Sequence, residues 1–402
     1  MRIRKIIHLD LDAFFCAVEE LRHPELVGKP FAVGGRPESR GVIASCSYAA
    51  RAYGISSAMP TSRALRLCPE LVLLPGDHSA YGAASQKVMD VLGRDIALIE
   101  QISIDEAFMD ASDLPQPGYE LGLSLQRAIR EELNLPCSLG IATNKLVAKI
   151  ATDVGKAGHH GSGPPRAIRE VPAGEEARFL APLPVRALWG VGPKTATRLN
   201  ERGIHTIGDL ARESEGSLVR MFGKYGGDLW RHAQGRDDSP VVSEHDIKSI
   251  SQEVTFARDV SDAASLQRTL RELSDQVGYR LRRRGLTAGT VRIKVRWPDF
   301  STHTRQVTLP QTSDQDGVIF AAANELFNLF WDGERPVRLI GVGISGLVEE
   351  SRQLSLWETP TDKERRLLAA IDELKGRYGK KIVQRGVALR TGKDDPHNKS
   401  QD

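Results

Sequence analysis

The chain has 402 residues, enough for roughly two to four domains, each with its own core. Its composition, 40% hydrophobic and 27% charged, is that of an ordinary globular protein, and a net charge of +3 does not by itself point to nucleic acid. No stretch approaches the ~20 apolar residues of a membrane span. His8, Asp10 and Asp12 break the run after the basic N-terminus, and Cys16, Cys46, Cys68 and Cys137 form no C-x-x-C pair, so a soluble cytoplasmic protein with buried, reduced thiols is expected.

In chain order, Ile3 to Leu11 reads as a buried strand, with Asp12 placed to cap a helix from Ala13 to Leu21. A helix is expected around Ser47 to Tyr53, another from Ser79 to Leu92, then a strand–turn–strand over Ile99 to Met109. A helix (Tyr119–Leu133), a strand (Cys137–Ala142) and a helix (Asn144–Asp153) complete a mixed α/β unit, and Gly155 to Pro165 reads as a loop. Arg178 to Arg236 is a helical, glycine-punctuated module, and Ser239 to His245 a linker. From Lys248 the order is strand, helix (Leu266–Arg284), two strands (Thr290–Trp297, His303–Leu309), helix (Gly317–Phe330) and strand (Val337–Gly343), a ferredoxin-like β-α-β-β-α-β unit. A tail with one helix, Asp362 to Tyr378, follows.

Two strings carry the chemistry: His8-Leu9-Asp10-Leu11-Asp12-Ala13-Phe14-Phe15 and Ser103-Ile104-Asp105-Glu106-Ala107. Each sets carboxylates among core-type residues with no Lys or Arg inside the string, and a buried ionised carboxylate needs a partner. An oxygen-only donor set without His or Cys suits Mg²⁺ or Mn²⁺ rather than zinc. Asp105 and Glu106 are neighbours, so they reach one site only at a turn or bulge.

Together with Ser47-Tyr48-Ala49-Ala50-Arg51 and Gly140-Ile141-Ala142-Thr143-Asn144-Lys145, these strings stand in the order and spacing of Y-family translesion DNA polymerases, particularly bacterial ones, and the resemblance spans roughly residues 6 to 357. It implies an α/β and α+β multidomain fold shaped like a right hand. The parts are a mixed α/β palm (1–10 and 78–165), small fingers (11–77), a helical thumb (166–238), a ferredoxin-like little finger (243–348) and a tail (349–402). It also implies that Asp10, Asp105 and Glu106, with the carbonyl of Leu11, hold two Mg²⁺ ions, for which Mn²⁺ can substitute. Phe15 falls on the aromatic that bars a 2′-hydroxyl, and Tyr48, Arg51 and Lys156 on the triphosphate contacts of the incoming dNTP. Around Lys156 the chain departs from the family's Lys-Pro-x-Gly: it reads Lys156-Ala157-Gly158-His159.

Three further features fit primer-template DNA and a protein partner. Gly190, Gly192 and Lys194 lie where two helices joined by Gly-Val-Gly would form a helix–hairpin–helix with a sequence-independent phosphate seat. Arg280, Arg282, Arg283 and Arg284 precede Arg292, Lys294 and Arg296, which alternate with Val291, Ile293 and Val295, giving one strand face a single sign of charge. Gln353-Leu354-Ser355-Leu356-Trp357 resembles the pentapeptide that docks on the sliding clamp. The expectation is a monomeric, template-directed polymerase of low fidelity without a proofreading domain. A metal-dependent nuclease and a non-catalytic adaptor on the same fold are the rivals, and primer extension with and without dNTPs separates all three.

Overall fold

A computed structural model describes residues 3–159, 161, 163–244, 246–349, 360–379 and 382–383. The chain divides into two compact units, residues 1–245 and 246–402.

In the first unit β1 (Ile6–Leu11) leads into α1 (Phe14–Arg22); β2 (Phe31–Gly34), β3 (Ile43–Cys46), α2 (Tyr48–Arg51), α3 (Thr61–Leu67) and β4 (Val72–Leu74) follow. Next come α4 (His78–Leu92), β5 (Leu98–Gln101), β6 (Glu106–Asp110), α5 (Gly118–Leu133), β7 (Cys137–Ala142), α6 (Lys145–Ala157) and β8 (Ile168–Glu170). The main sheet has the order β5-β6-β1-β7-β8, so β1 is central and antiparallel to both neighbours. The isoleucines and leucines of β1 are buried on both faces. Ile7, Leu9 and Leu11 join a core with α1, α4 and α5, while Ile6 joins Leu146, Val147 and Ile150 of α6. Each such side chain contributes about 1.5–3 kcal/mol when fully buried. Gly140 lets α6 press against β7, since a Cβ there would stand 2.0 Å from the Ala148 carbonyl oxygen.

The sheet β3-β2-β4 has a small core of its own, including Ala32, Ile43, Cys46, Ala50 and Cys68. All four cysteines are free and buried, as expected. The unit ends in short helices: α7 (Glu176–Leu180), α8 (Pro193–Asn200), α9 (Ile207–Arg212), α10 (Glu215–Phe222) and α11 (Lys224–Ala233).

The second unit runs β9 (Ser249–Val260), α12 (Ala263–Arg282), β10 (Leu286–Arg296), β11 (Thr302–Ser313), α13 (Asp316–Asn328), β12 (Val337–Glu349) and α14 (Pro360–Tyr378). Its sheet order is β11-β10-β12-β9, antiparallel throughout. β9 and β10 therefore run parallel with β12 between them, and β11 and β12 parallel with β10 between them, two interlocked split β-α-β units. α14 is packed rather than free: Leu368 is buried and Asp372 accepts from Arg282 Nε at 2.7 Å.

Three expectations are corrected. Asp12 does not cap α1; the N-cap position is Ala13, in the left-handed region at φ 47° with no side-chain cap, and Asp12 is buried with other partners. α6 continues to Ala157, so Lys156 sits on its last turn and not in a loop, an extension that the alanine-rich, proline-free stretch allows. Arg282 belongs to no solvent-facing basic cluster, because Asp316 and Asp372 hold it at 2.7 Å in the core of its unit.

Candidate active site

The two acid strings meet at one end of the main sheet. Asp10 and Glu106 are cross-strand partners on β1 and β6, and Leu11 N donates to the Asp105 carbonyl at 2.9 Å. The turn that lets adjacent acids share this end is built by Ser103. Its hydroxyl accepts from the amides of Asp105 and Glu106 at 3.2 and 2.9 Å and donates to Asp105 Oδ1 at 2.5 Å.

Cations from α6 answer these acids. Lys156 Nζ donates to Asp10 Oδ1 at 2.5 Å and lies 3.4 Å from Asp12 Oδ1; Lys149 Nζ donates to Glu106 Oε1 at 2.9 Å. Burial, opposed by Lys156 and reinforced by the charges of Glu106 and Asp105, raises the Asp10 carboxyl to about 6. Burial pulls the Lys156 ammonium down, but Asp10 and Asp12 outweigh it and hold it above the ordinary lysine range. Lys149 escaped the sequence reading, although Lys149, Asp153 and Lys156 recur at i, i+4 and i+7 on one helix face.

A cleft of about 200 Å³ opens beside this end of the sheet, lined by Asp10, Leu11, Phe15, Arg51, Asp105 and Lys156 among others. Phe15 is half-buried and stacks on Tyr81 with ring centroids 4.3 Å apart, whereas its neighbour Phe14 is core. Tyr81 is itself held by a hydrogen bond to Glu19 at 2.6 Å. Ser47 caps α2 by accepting from Ala50 N, which sets Tyr48 and Arg51 on one helix turn, the guanidinium 4.5 Å above the Tyr48 ring. Among the described residues the buried Tyr48 hydroxyl has no hydrogen-bond partner.

Sequence profiles described as the impB/mucB/samB family, its C-terminal domain and the IMS family HHH motif match residues 9–153, 247–356 and 173–204. A DNA polymerase IV of Dehalococcoides mccartyi (strain CBDB1) is 40% identical over 394 residues, covering 97% of this chain and 99% of the relative. One from Methanoculleus marisnigri is 43% identical over 350 residues, covering 86% and 94%. A solved Y-family DNA polymerase chimera superposes with a TM-score of 0.76 at 25% identity over 86% of this chain and all of the other. The chain belongs to the Y family of DNA polymerases. It is a DNA-directed DNA polymerase of translesion synthesis, acting on primer-template DNA and dNTPs.

Elsewhere in this polymerase, Gly190 has φ +92°, a conformation that favours glycine, and Tyr225 Oη donates to its carbonyl at 2.8 Å. Gly192 is the N-cap of α8, followed by Pro193 and the exposed Lys194. The helix just before the hairpin is a short 3₁₀ helix, Val185–Ala187. On β10, Val291, Ile293 and Val295 are buried while Arg292, Lys294 and Arg296 point to the other face, as expected from their alternation. Gln353, Leu354, Leu356 and Trp357 lie outside the described residues. Among the described residues no helix is long and apolar enough to cross a membrane.

The donor set suits a hard divalent cation: carboxylates on two paired strands and a third in the adjoining turn, with the buried His8 Nε2 3.9 Å from Glu106 Oε2. As the side chains stand, no three His, Cys, Asp or Glu groups among the described residues converge enough to hold a metal. Lys156 and Lys149 pair with Asp10 and Glu106 at 2.5 and 2.9 Å.

Proposed function

We propose that this polymerase extends primers by two-metal nucleotidyl transfer, with Asp10, Asp105, Glu106 and the Leu11 carbonyl holding two Mg²⁺ ions. The observation that carries the reading is the single cleft lined by Asp10, Leu11, Phe15, Arg51, Asp105 and Lys156. Bound Mg²⁺ would lower the pKa of the primer 3′-hydroxyl and neutralise charge on the triphosphate. The chain's own residues do the rest. Arg51 presents a planar fork to phosphate oxygens, the orphan Tyr48 hydroxyl donates to one, and Lys156 turns from Asp10 towards the triphosphate. Phe15, braced by Tyr81, fills the space a 2′-hydroxyl would need.

In this reading residues 1–10 and 78–165 are palm, 11–77 fingers, 166–238 thumb, 243–348 little finger and 349–402 tail. Gly190, Gly192 and Lys194 seat one backbone phosphate, and Arg292, Lys294 and Arg296 track the duplex. Gln353, Leu354, Leu356 and Trp357 tether a monomeric enzyme to the sliding clamp, and synthesis is of low fidelity without proofreading. Primer extension tests the core of this reading: extension with Mg²⁺ and dNTPs supports it, and cleavage of DNA without dNTPs would replace it with the nuclease. Replacing Gln353, Leu356 and Trp357 by alanine should remove clamp stimulation and leave clamp-free synthesis unchanged; a parallel fall in both would sink the tether.

A further inference from the structure

Asp12 has no exposed surface and no catalytic assignment, yet its two oxygens take four contacts. Ser138 Oγ lies 2.9 Å from Oδ1 and 3.1 Å from Oδ2, the Arg166 amide 3.1 Å from Oδ2, and Lys156 Nζ 3.4 Å from Oδ1. The Ser138 hydroxyl also accepts from Ala167 N at 3.0 Å, so its one proton goes to Asp12. Arg166 is held at φ 47°, which a non-glycine residue adopts only under constraint, and it stands where the chain re-enters the sheet through β8. Three donors, from Ser138, Arg166 and Lys156, thus engage the buried Asp12 carboxylate.

We propose that Asp12 is a positioning residue for nucleotide binding: it anchors the backbone at Arg166 and keeps the Lys156 ammonium at the rim of the cleft. The proposal rests on the reading of Lys156 as a triphosphate contact. Lys156 lies between two acids, 2.5 Å from Asp10 and 3.4 Å from Asp12. When Asp10 serves a cation, Lys156 loses that partner, and Asp12 is the acid that remains to hold it. Without Asp12 the ammonium either stays on Asp10, against the cation, or swings to water. Asp12 thereby joins the final turn of α6 and the start of β8 to the strand that carries Asp10.

Asp12→Asn tests this, because an amide still accepts one neutral hydrogen bond but carries no charge and turns an NH₂ towards the other donors. In the metal-free protein, amide exchange of a peptide containing Arg166 and Ala167 should quicken. In the full enzyme, KM for dNTP should rise about tenfold, the size of one lost charge-assisted hydrogen bond, with kcat and the Mg²⁺ half-saturation concentration little changed. Ser138→Ala should quicken the same exchange with a smaller rise in KM, and it carries the test if Asp12→Asn does not fold. A raised Mg²⁺ requirement with a matching loss of kcat would make Asp12 a metal ligand and overturn the proposal, as would unchanged exchange and KM. If Lys156→Ala leaves the dNTP KM unchanged, the triphosphate reading of Lys156 fails, while the exchange result still reports the hold of Asp12 on Arg166.

Discussion

At the carboxylate end of the main sheet three acids are answered from distant parts of the fold: Lys156 on Asp10, Lys149 on Glu106, the Ser138 hydroxyl and the Arg166 amide on Asp12. On the basic face of β10 the partners are mostly neutral and wet, Arg292 on Gln306 and Arg296 on Thr302, with Lys294 on Glu253 the one acid contact of the three. Both regions gather charge, but a buried pair that loses one member leaves an uncompensated ion, whereas an exposed pair contributes about 1 kcal/mol or less. Single changes should therefore be decisive at the first site and graded at the second.

The largest effect is expected from Asp105→Asn or Glu106→Gln. Each should slow single-turnover extension on the order of 10³-fold or more, since charge that faces the reacting phosphate is lost. DNA affinity, read by anisotropy, should hardly move because the basic face is untouched. Near wild-type extension at millimolar Mg²⁺ would remove the distinction between the regions along with the two-metal reading.

Adjacent phenylalanines sharpen the same contrast within one helix. Phe15→Ala should raise the kcat/KM ratio of rNTP to dNTP on the order of 10²-fold, because a steric bar disappears while the fold keeps its core. Phe14→Ala should instead cost about 3–5 kcal/mol of stability. If Phe14→Ala relaxes sugar discrimination and Phe15→Ala does not, the assignment of the gate is wrong.

The raised carboxyl of Asp10 predicts a pH signature. Its folded value of about 6 lies above the ordinary aspartate value, so the metal-free site holds its proton until the pH passes that point. A cation needs the ionised form. Affinity for Mn²⁺ or Mg²⁺, followed by thermal shift, should be flat above this value and fall by up to about tenfold per pH unit below it. An Asp10→Asn variant should lose that dependence, and a dependence that survives the change belongs to another acid.

Much of this was legible in the chain. The alternation on β10, the strand Cys137–Ala142, which the structure reproduces to the residue, and the need for a turn at Asp105-Glu106 all follow from spacing and burial. What could not be read is long-range pairing. Lys149 looks like an ordinary helix lysine and Lys156 like a loop residue until α6 is laid along β1, and Asp12 looks like a cap until Ser138 and Arg166, 126 and 154 residues away, close on it. Arg282 misled for the same reason: a run of arginines at 280–284 gives no hint that Asp316 and Asp372 come to one of them.

The smallest predicted effect is also the one that best separates the two regions. Lys294 stands opposite Gly341, and Gly341 opposite Glu253, so the ammonium reaches the carboxylate at 2.8 Å across a strand position without a side chain. A Cβ at Gly341 would itself stand 2.8 Å from the Glu253 Cβ. If duplex phosphates run along this face as proposed, Glu253 competes with them for the Lys294 charge. Arg292→Ala should weaken DNA binding evenly across sequences and lower the slope of log affinity against log salt by about one. Lys294→Ala should do less, because its charge is partly spent on Glu253. Glu253→Gln should act in the opposite direction, tightening binding and steepening the salt slope, since it releases Lys294 and removes a like charge from the path of the phosphates. The Lys294–Glu253 pair is partly exposed, so its loss should barely shift the melting temperature. Binding measured over a salt series for the three variants decides the matter: if Glu253→Gln weakens binding, the face holds the pair for its own order and DNA runs elsewhere.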